Sequence, residues 1–179
     1  MVMNRKKLTI FLTVLCIFNF KNFAMADQAR VDLSFHLFPA GSFHAKTANI
    51  SGGISKPQSV RGPSSTGSVL NATNIVVDLK SLKTGIALRD RHLQEYLETD
   101  KYPTAVLLEA RGANGHGKGK IKIRNIVKEV NIEYKVVNKM AEGNFKINIS
   151  DFKIKEPKYM GVGVDDEVEV NIVLPLVGI

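Results

Sequence analysis

Cysteine is almost absent from this 179-residue chain; the single one, Cys16, lies in an apolar stretch near the N-terminus. That stretch is itself short. Leu8 to Phe20 spans 13 residues, interrupted only by Thr9, Thr13 and Asn19, fewer than the roughly 20 that a membrane-spanning helix needs. It follows Arg5, Lys6 and Lys7 and precedes Ala24-Met25-Ala26, a small-x-small site before Asp27. A basic start, an apolar centre and a small-residue end are the three parts of a secretory signal peptide. The sequence therefore predicts a cleaved signal over 1–26, one mature domain over 27–179, and a periplasmic or secreted product. Val14 and Leu15, which are not small, stand before Cys16, and this argues against lipid attachment there. Cleavage leaves a mature chain without cysteine, so neither a disulfide nor a cysteine zinc site can form in it.

The basic excess is smaller than the raw count suggests. The signal holds four of the 25 Lys and Arg residues and none of the 17 Asp and Glu, so cleavage lowers the net charge from +8 to +4. An excess of that size serves solubility, and nucleic-acid binding is not expected.

Motifs that carry chemistry are missing as well. There is no GxSxG elbow, and no serine sits in a context suggesting a triad. His36, His44, His92 and His116 form no HxxxH or HxH pair, so no metal site is expected; an approach of His36 and His44 across a hairpin is the one route to a metal or haem ligand. Gly112 to Gly119 nearly matches a phosphate-binding loop. Gly119 stands where a Ser or Thr must hold magnesium, and Lys120 to Arg124 continues as a strand pattern where a helix is required. Gly161-Val-Gly163 lacks the third glycine of a dinucleotide fingerprint, and Asp165, Asp166 and Glu167 lack calcium-loop spacing. Both read as loops.

What the mature chain does have is alternation. Val130, Ile132, Tyr134 and Val136 alternate with Glu129, Asn131, Glu133 and Lys135. Val168, Val170, Ile172 and Leu174 do the same near the C-terminus, as do Phe145, Ile147 and Ile149, and Ile121 and Ile123. Val31 to Leu37, Val69 to Leu79 and Thr104 to Ala110 are less regular counterparts. A period of two marks half-buried antiparallel strands. Pro39 to Ser42, Gly62 to Gly67, Gly112 to Gly119 and Pro157 to Gly163 punctuate them. About eight strands in 153 residues predict an all-β barrel or sandwich. One segment breaks the period. Leu88 to Thr99 places Leu88, Leu93, Tyr96 and Leu97 near one helical face and predicts a short amphipathic helix, which Pro103 prevents from continuing.

Around that helix the motifs are specific. Val77-Asp-Leu-Lys-Ser-Leu-Lys-Thr-Gly85, then Leu88-Arg-Asp-Arg-His-Leu93, then Tyr96-Leu97, then Lys101-Tyr-Pro-Thr-Ala105 follow in order. In this the chain resembles the YceI-like family over most of 30–176, most closely over 75–106. The first two strands depart from the family pattern, keeping only His36 and Gly41-Ser-Phe43 as loose counterparts.

The resemblance implies a lipocalin-like antiparallel β-barrel of about eight strands with one short amphipathic helix. It implies a periplasmic, non-catalytic carrier of an isoprenoid or similar amphiphilic lipid, with no other cofactor. The expected cavity wall contains Phe35, Leu79, Val106 and Ile132, together with Tyr134, Phe145, Ile147 and Ile172. Burial of hydrocarbon there is worth about 0.8 kcal/mol per CH₂. Leu88, Leu93, Tyr96 and Leu97 are expected to cap the mouth. Arg89 or His92 is expected to meet a polar or phosphate head group, with Asp90 orienting one of them. The plainer alternatives are that the apolar set only packs a core and that Arg89, Asp90 and His92 only fix the helix to the rim. Three other functions stand beside the carrier: an accessory of membrane electron transfer holding an isoprenoid quinone or haem, an enzyme acting on a lipid, and a protein-interaction module with a packed barrel. Membrane contact is expected to be transient, and a homodimer is compatible with this reading.

Overall fold

The computed structural model of this chain describes residues 28–37, 39, 41–55, 69–156, 158–159 and 162–177. The expected signal peptide, its cleavage site and the Gly62 to Gly67 connection lie outside them. In chain order the elements are β1 (Arg30–Leu37), β2 (Gly41–Thr47), β3 (Ile50–Ser51), β4 (Ile54–Ser55), β5 (Leu70–Asp78), α1 (Ala87–Leu97), β6 (Thr104–Ala113), β7 (His116–Ile123), β8 (Ile126–Val137), β9 (Met140–Asn148), β10 (Lys158–Tyr159), β11 (Val162–Gly163) and β12 (Glu167–Val177).

β5 to β9 form an antiparallel meander. Its last three turns contain Asn114-Gly115, Arg124-Asn125 and Asn138-Lys139, all with positive φ. That is the backbone of the type I′ hairpin, whose twist matches that of the strands it joins. β12 pairs antiparallel along β9 from Glu167 to Pro175, and its end runs parallel to β4, which also pairs with β5. The hydrogen-bonded ring thus closes through seven strands, β12-β4-β5-β6-β7-β8-β9. β1 and β2 extend the sheet from the other edge of β12. Among the described residues eight strands are seven residues or longer, as the alternation predicts. Closure leaves few free edges, which an open sheet of this length would expose.

The alternation decides what fills the ring. On β12, Val168, Val170, Ile172 and Leu174 are buried, while Glu167 and Glu169 are exposed. Ile121 and Ile123 on β7 and Phe145 on β9 join the same core. The first hairpin, whose pattern is least regular in the sequence, takes the register Phe35 to Phe43 and Leu37 to Gly41. Phe35 therefore points inward opposite Val168 on its other side.

Candidate ligand-binding site

The segment from Asp78 to Thr104 spans one end of the barrel, and its motif residues are mostly fasteners. The Asp78 carboxylate accepts from the Lys80 amide (2.9 Å) and from the Asn49 side chain (2.8 Å). The Ser81 hydroxyl donates to the Asp78 carbonyl and lies 2.6 Å from the Thr47 hydroxyl. Leu79 and Leu82 are buried in the core. At the far side the Arg124 guanidinium bonds both the Glu98 carboxylate and the Lys153 carbonyl and lies 5.5 Å from the Tyr102 ring centre. Glu98 ends α1 in the left-handed region. These contacts hold α1 across the barrel end.

Asp90 does not orient Arg89 or His92. It is buried, and its Oδ1 accepts from the Thr84 amide and the Thr84 hydroxyl, each at 2.7 Å; Lys83 lies 3.6 Å from Oδ2. Burial by itself would raise this carboxyl, but the two bonds from Thr84 and the Lys83 charge outweigh it and hold the group below the ordinary aspartate value. The physical reason for the different partner is helical phase. Residues advance by about 100° each, so Arg89 and His92, three apart, share a face, while Asp90 turns toward the incoming Lys83–Thr84 loop. The same phase corrects Leu88. It lies at the edge of that face and is 45% exposed, not directed into a cavity.

The face of α1 that turns inward meets the first hairpin over a hollow of about 250 Å³. Its apolar wall is Phe35, Leu37, Phe43, Leu93 and Val164. Arg89, His92, Tyr96 and Lys158 border it. Phe35 and Phe43 stack at 4.8 Å with their planes 10° apart, and the Arg89 guanidinium carbon sits 4.7 Å from the Phe43 ring centre. Such a contact is a cation–π pair and holds the Arg89 charge beside an apolar opening. The Tyr96 hydroxyl accepts weakly from the Lys158 amide, which joins the β10–β11 hairpin to the rim.

Phe35 also borders a second space, about 80 Å³, inside the barrel. Leu79, Leu97, Phe145, Ile147 and Ile172 line it, so that Leu97 borders this inner space and not the mouth. Val106 borders it too but is only half-buried; its neighbours Ala105 and Leu107 are the buried pair on β6, where the register against β7 shifts between Leu107 and Glu109. Ile132 and Tyr134 line a third space of about 60 Å³ at the opposite end. The expected cavity residues are therefore divided among three separate spaces. Side chains fill most of the interior, and each inner space is well below the ~300 Å³ at which small-molecule pockets begin. Phe43 and Lys158 were not among the expected site residues. Phe43 was visible only as part of a weak family counterpart, and Lys158 falls in a connection with no periodic signal.

One group elsewhere has the composition of a hydrolytic triad. Ser34 Oγ is 3.0 Å and Asp32 Oδ1 is 3.4 Å from His44, but both approach the same nitrogen, Nδ1. A relay needs the serine on one ring nitrogen and the carboxylate on the other. Asp32 is instead paired with Lys46 at 2.9 Å. Among the described residues no group of three His, Cys, Asp or Glu is placed to hold a metal ion, and no helix is long and apolar enough to cross a membrane.

The model of the YceI-like domain matches residues 25–176. This chain belongs to the YceI-like family. No curated protein sequence matches it. Solved structures similar to this YceI-like domain include BcnA of Burkholderia cenocepacia, with 15% identity over 82% of this chain and 94% of that one and a TM-score of 0.60. A polyisoprenoid-binding domain from Saccharophagus degradans, implicated in plant cell wall breakdown, has 16% identity over 82% and 91% with a TM-score of 0.55. The YceI protein of Campylobacter jejuni has 22% identity over 73% and 81% with a TM-score of 0.50. At these identities the likeness establishes the fold, a lipocalin-like barrel. The motif segments from Asp78 to Leu93 divide into fastening residues, Asp78, Ser81, Thr84 and Asp90, and residues that face the hollow, Arg89, His92 and Leu93.

Proposed function

We infer that this YceI-like domain is an exported, non-catalytic carrier of an isoprenoid or similar amphiphilic lipid. The observation that carries this reading is the hollow under α1: apolar where Phe35, Leu37, Phe43 and Leu93 meet, and bordered by Arg89, His92 and Lys158. A head group with negative charge rests against Arg89, and the chain enters past Phe35. The inner spaces are too small for a long chain as they stand, so loading requires Phe35 and its neighbours to change rotamer. Each CH₂ that enters contributes about 0.8 kcal/mol, and several isoprene units are enough for micromolar affinity after association costs. A fold shared with a polyisoprenoid-binding domain supports the same cargo, and the signal-like N-terminus supports a periplasmic or secreted location.

The test begins with the chain expressed with its signal and purified without detergent. A native mass spectrum and a solvent extract should show a stoichiometric lipid; its absorbance separates an isoprenoid from a quinone or haem. Arg89→Ala should weaken a phosphorylated isoprenoid by roughly tenfold, the worth of one charge-assisted bond, and leave the uncharged alcohol nearly unchanged. A clean apo mass with no uptake of added isoprenoids would leave a packed barrel and a protein-interaction role.

A further inference from the structure

The three spaces are arranged in line, and their shared walls define an order. Phe35 is common to the mouth and the first inner space; Leu107 and Ile172 are common to the first and the second. Two strands that run in the same direction, β12 and β6, give the same sequence of depths. On β12, Val168 and Val170 border the first space, Ile172 both, and Leu174 the second. On β6, Ala105 borders the first, Leu107 both, and Ala110 the second. The second space is therefore a continuation of the first beyond a Leu107–Ile172 partition.

At its far end, beside the β6–β7 turn, stand two side chains of β8. Ile132 lies in register with Gly117, and Tyr134 with Gly143. A Cβ on Gly112 would sit 2.5 Å from Tyr134 Cε1, and one on Gly143 would sit 3.3 Å from Ile132 Cγ2. Tyr134 thus occupies room that exists only because Gly112 has no Cβ, and Ile132 packs closely over Gly143, where an added Cβ would press on it. Both side chains are half-buried, unlike Val130 on the same face of β8. Shortening them deepens the space, because the structure around a truncated side chain relaxes only partly.

We propose that Ile132 and Tyr134 form the floor of the chain-binding tunnel and set the length of hydrocarbon this protein accepts. The proposal rests on the carrier reading and adds to it the residues that discriminate among cargoes. A chain long enough to pass Leu107 and Ile172 meets Ile132 first, and its terminal isoprene unit then stops against Tyr134.

Equilibrium binding of a series of isoprenoid alcohols, each one isoprene unit longer than the last, tests this on the purified mature protein. Displacement of a fluorescent apolar probe is a suitable readout. The parent should tighten with length up to an optimum and then stop. Ile132→Ala should move the optimum to longer chains, with affinity for the next member of the series up about tenfold, the worth of about two more buried methylenes. Ala141 lines the same space from β9 and is buried, so Ala141→Leu should move the optimum the other way. A role in packing alone would change all lengths together and leave the optimum in place. If the parent shows an optimum that neither folded variant moves, the floor assignment is wrong while the carrier reading stands. If the parent binds no member of the series, both are wrong.

Discussion

Asp90 shows how a single residue can matter without touching a ligand. It holds Thr84 by both amide and hydroxyl, and this fixes the loop that starts α1. Bonds to a charged, buried acceptor are worth about 2–3 kcal/mol together, so Asp90→Ala should lower the melting temperature by roughly 5–10 °C. The folded carboxyl titrates below its unfolded value. Its contribution is therefore fully present above the ordinary aspartate range and is lost as pH falls through the lowered folded value. Asp90→Asn should lose less at neutral pH and show a flatter acid limb in the melting curve. A parent-like melt for both variants would remove Asp90 from this role. In the sequence the R-D-x-H-L pattern was legible as a unit. That Asp90 turns to the loop while Arg89 and His92 face the hollow depends on helical phase relative to the barrel, which the pattern does not contain.

At the scale of elements, the hairpin turns offer the sharpest expectation. Asn114-Gly115 is the preferred type I′ pair, whereas Asn138-Lys139 places a lysine at φ 64°, a conformation that suits glycine better. The Lys139 carbonyl accepts from the Leu176 amide, and that bond survives a change of side chain. Lys139→Gly should raise stability by about 0.5–1 kcal/mol, or roughly 2 °C in the melt, and Gly115→Ala should lower it by a similar amount. Equal melts for all three proteins would mean that the turns carry no strain. Alternation made most of the long strands legible, because a one-sided sheet in water cannot hide its period. It was less informative on β6, where Val106, Leu107 and Leu108 are consecutive apolar residues and only Leu107 of the three is buried. The short β4 pairings that close the ring had no signal of their own.

For the molecule as a whole, the carrier reading makes stability depend on cargo. A chain that binds only the folded barrel stabilises it by about 2.7 kcal/mol at a hundred times its dissociation constant, or roughly 5–10 °C. Delipidated protein should therefore melt lower than protein purified with its lipid, and the difference should return on adding an isoprenoid. Identical melts before and after extraction would argue for a packed barrel. The sequence by itself determined an all-β chain of about eight strands with one helix, the family, and the apolar character of the wall, because these follow from local period and motif. Only the tertiary structure decided that the wall residues border three spaces in line, that Phe43 stacks on Phe35, and that Leu88 faces solvent. Those facts depend on strand register and on where the helix axis crosses the barrel end. Both are set by contacts between residues far apart in the chain, such as Arg124 with Glu98 and Asn49 with Asp78, which no local pattern records.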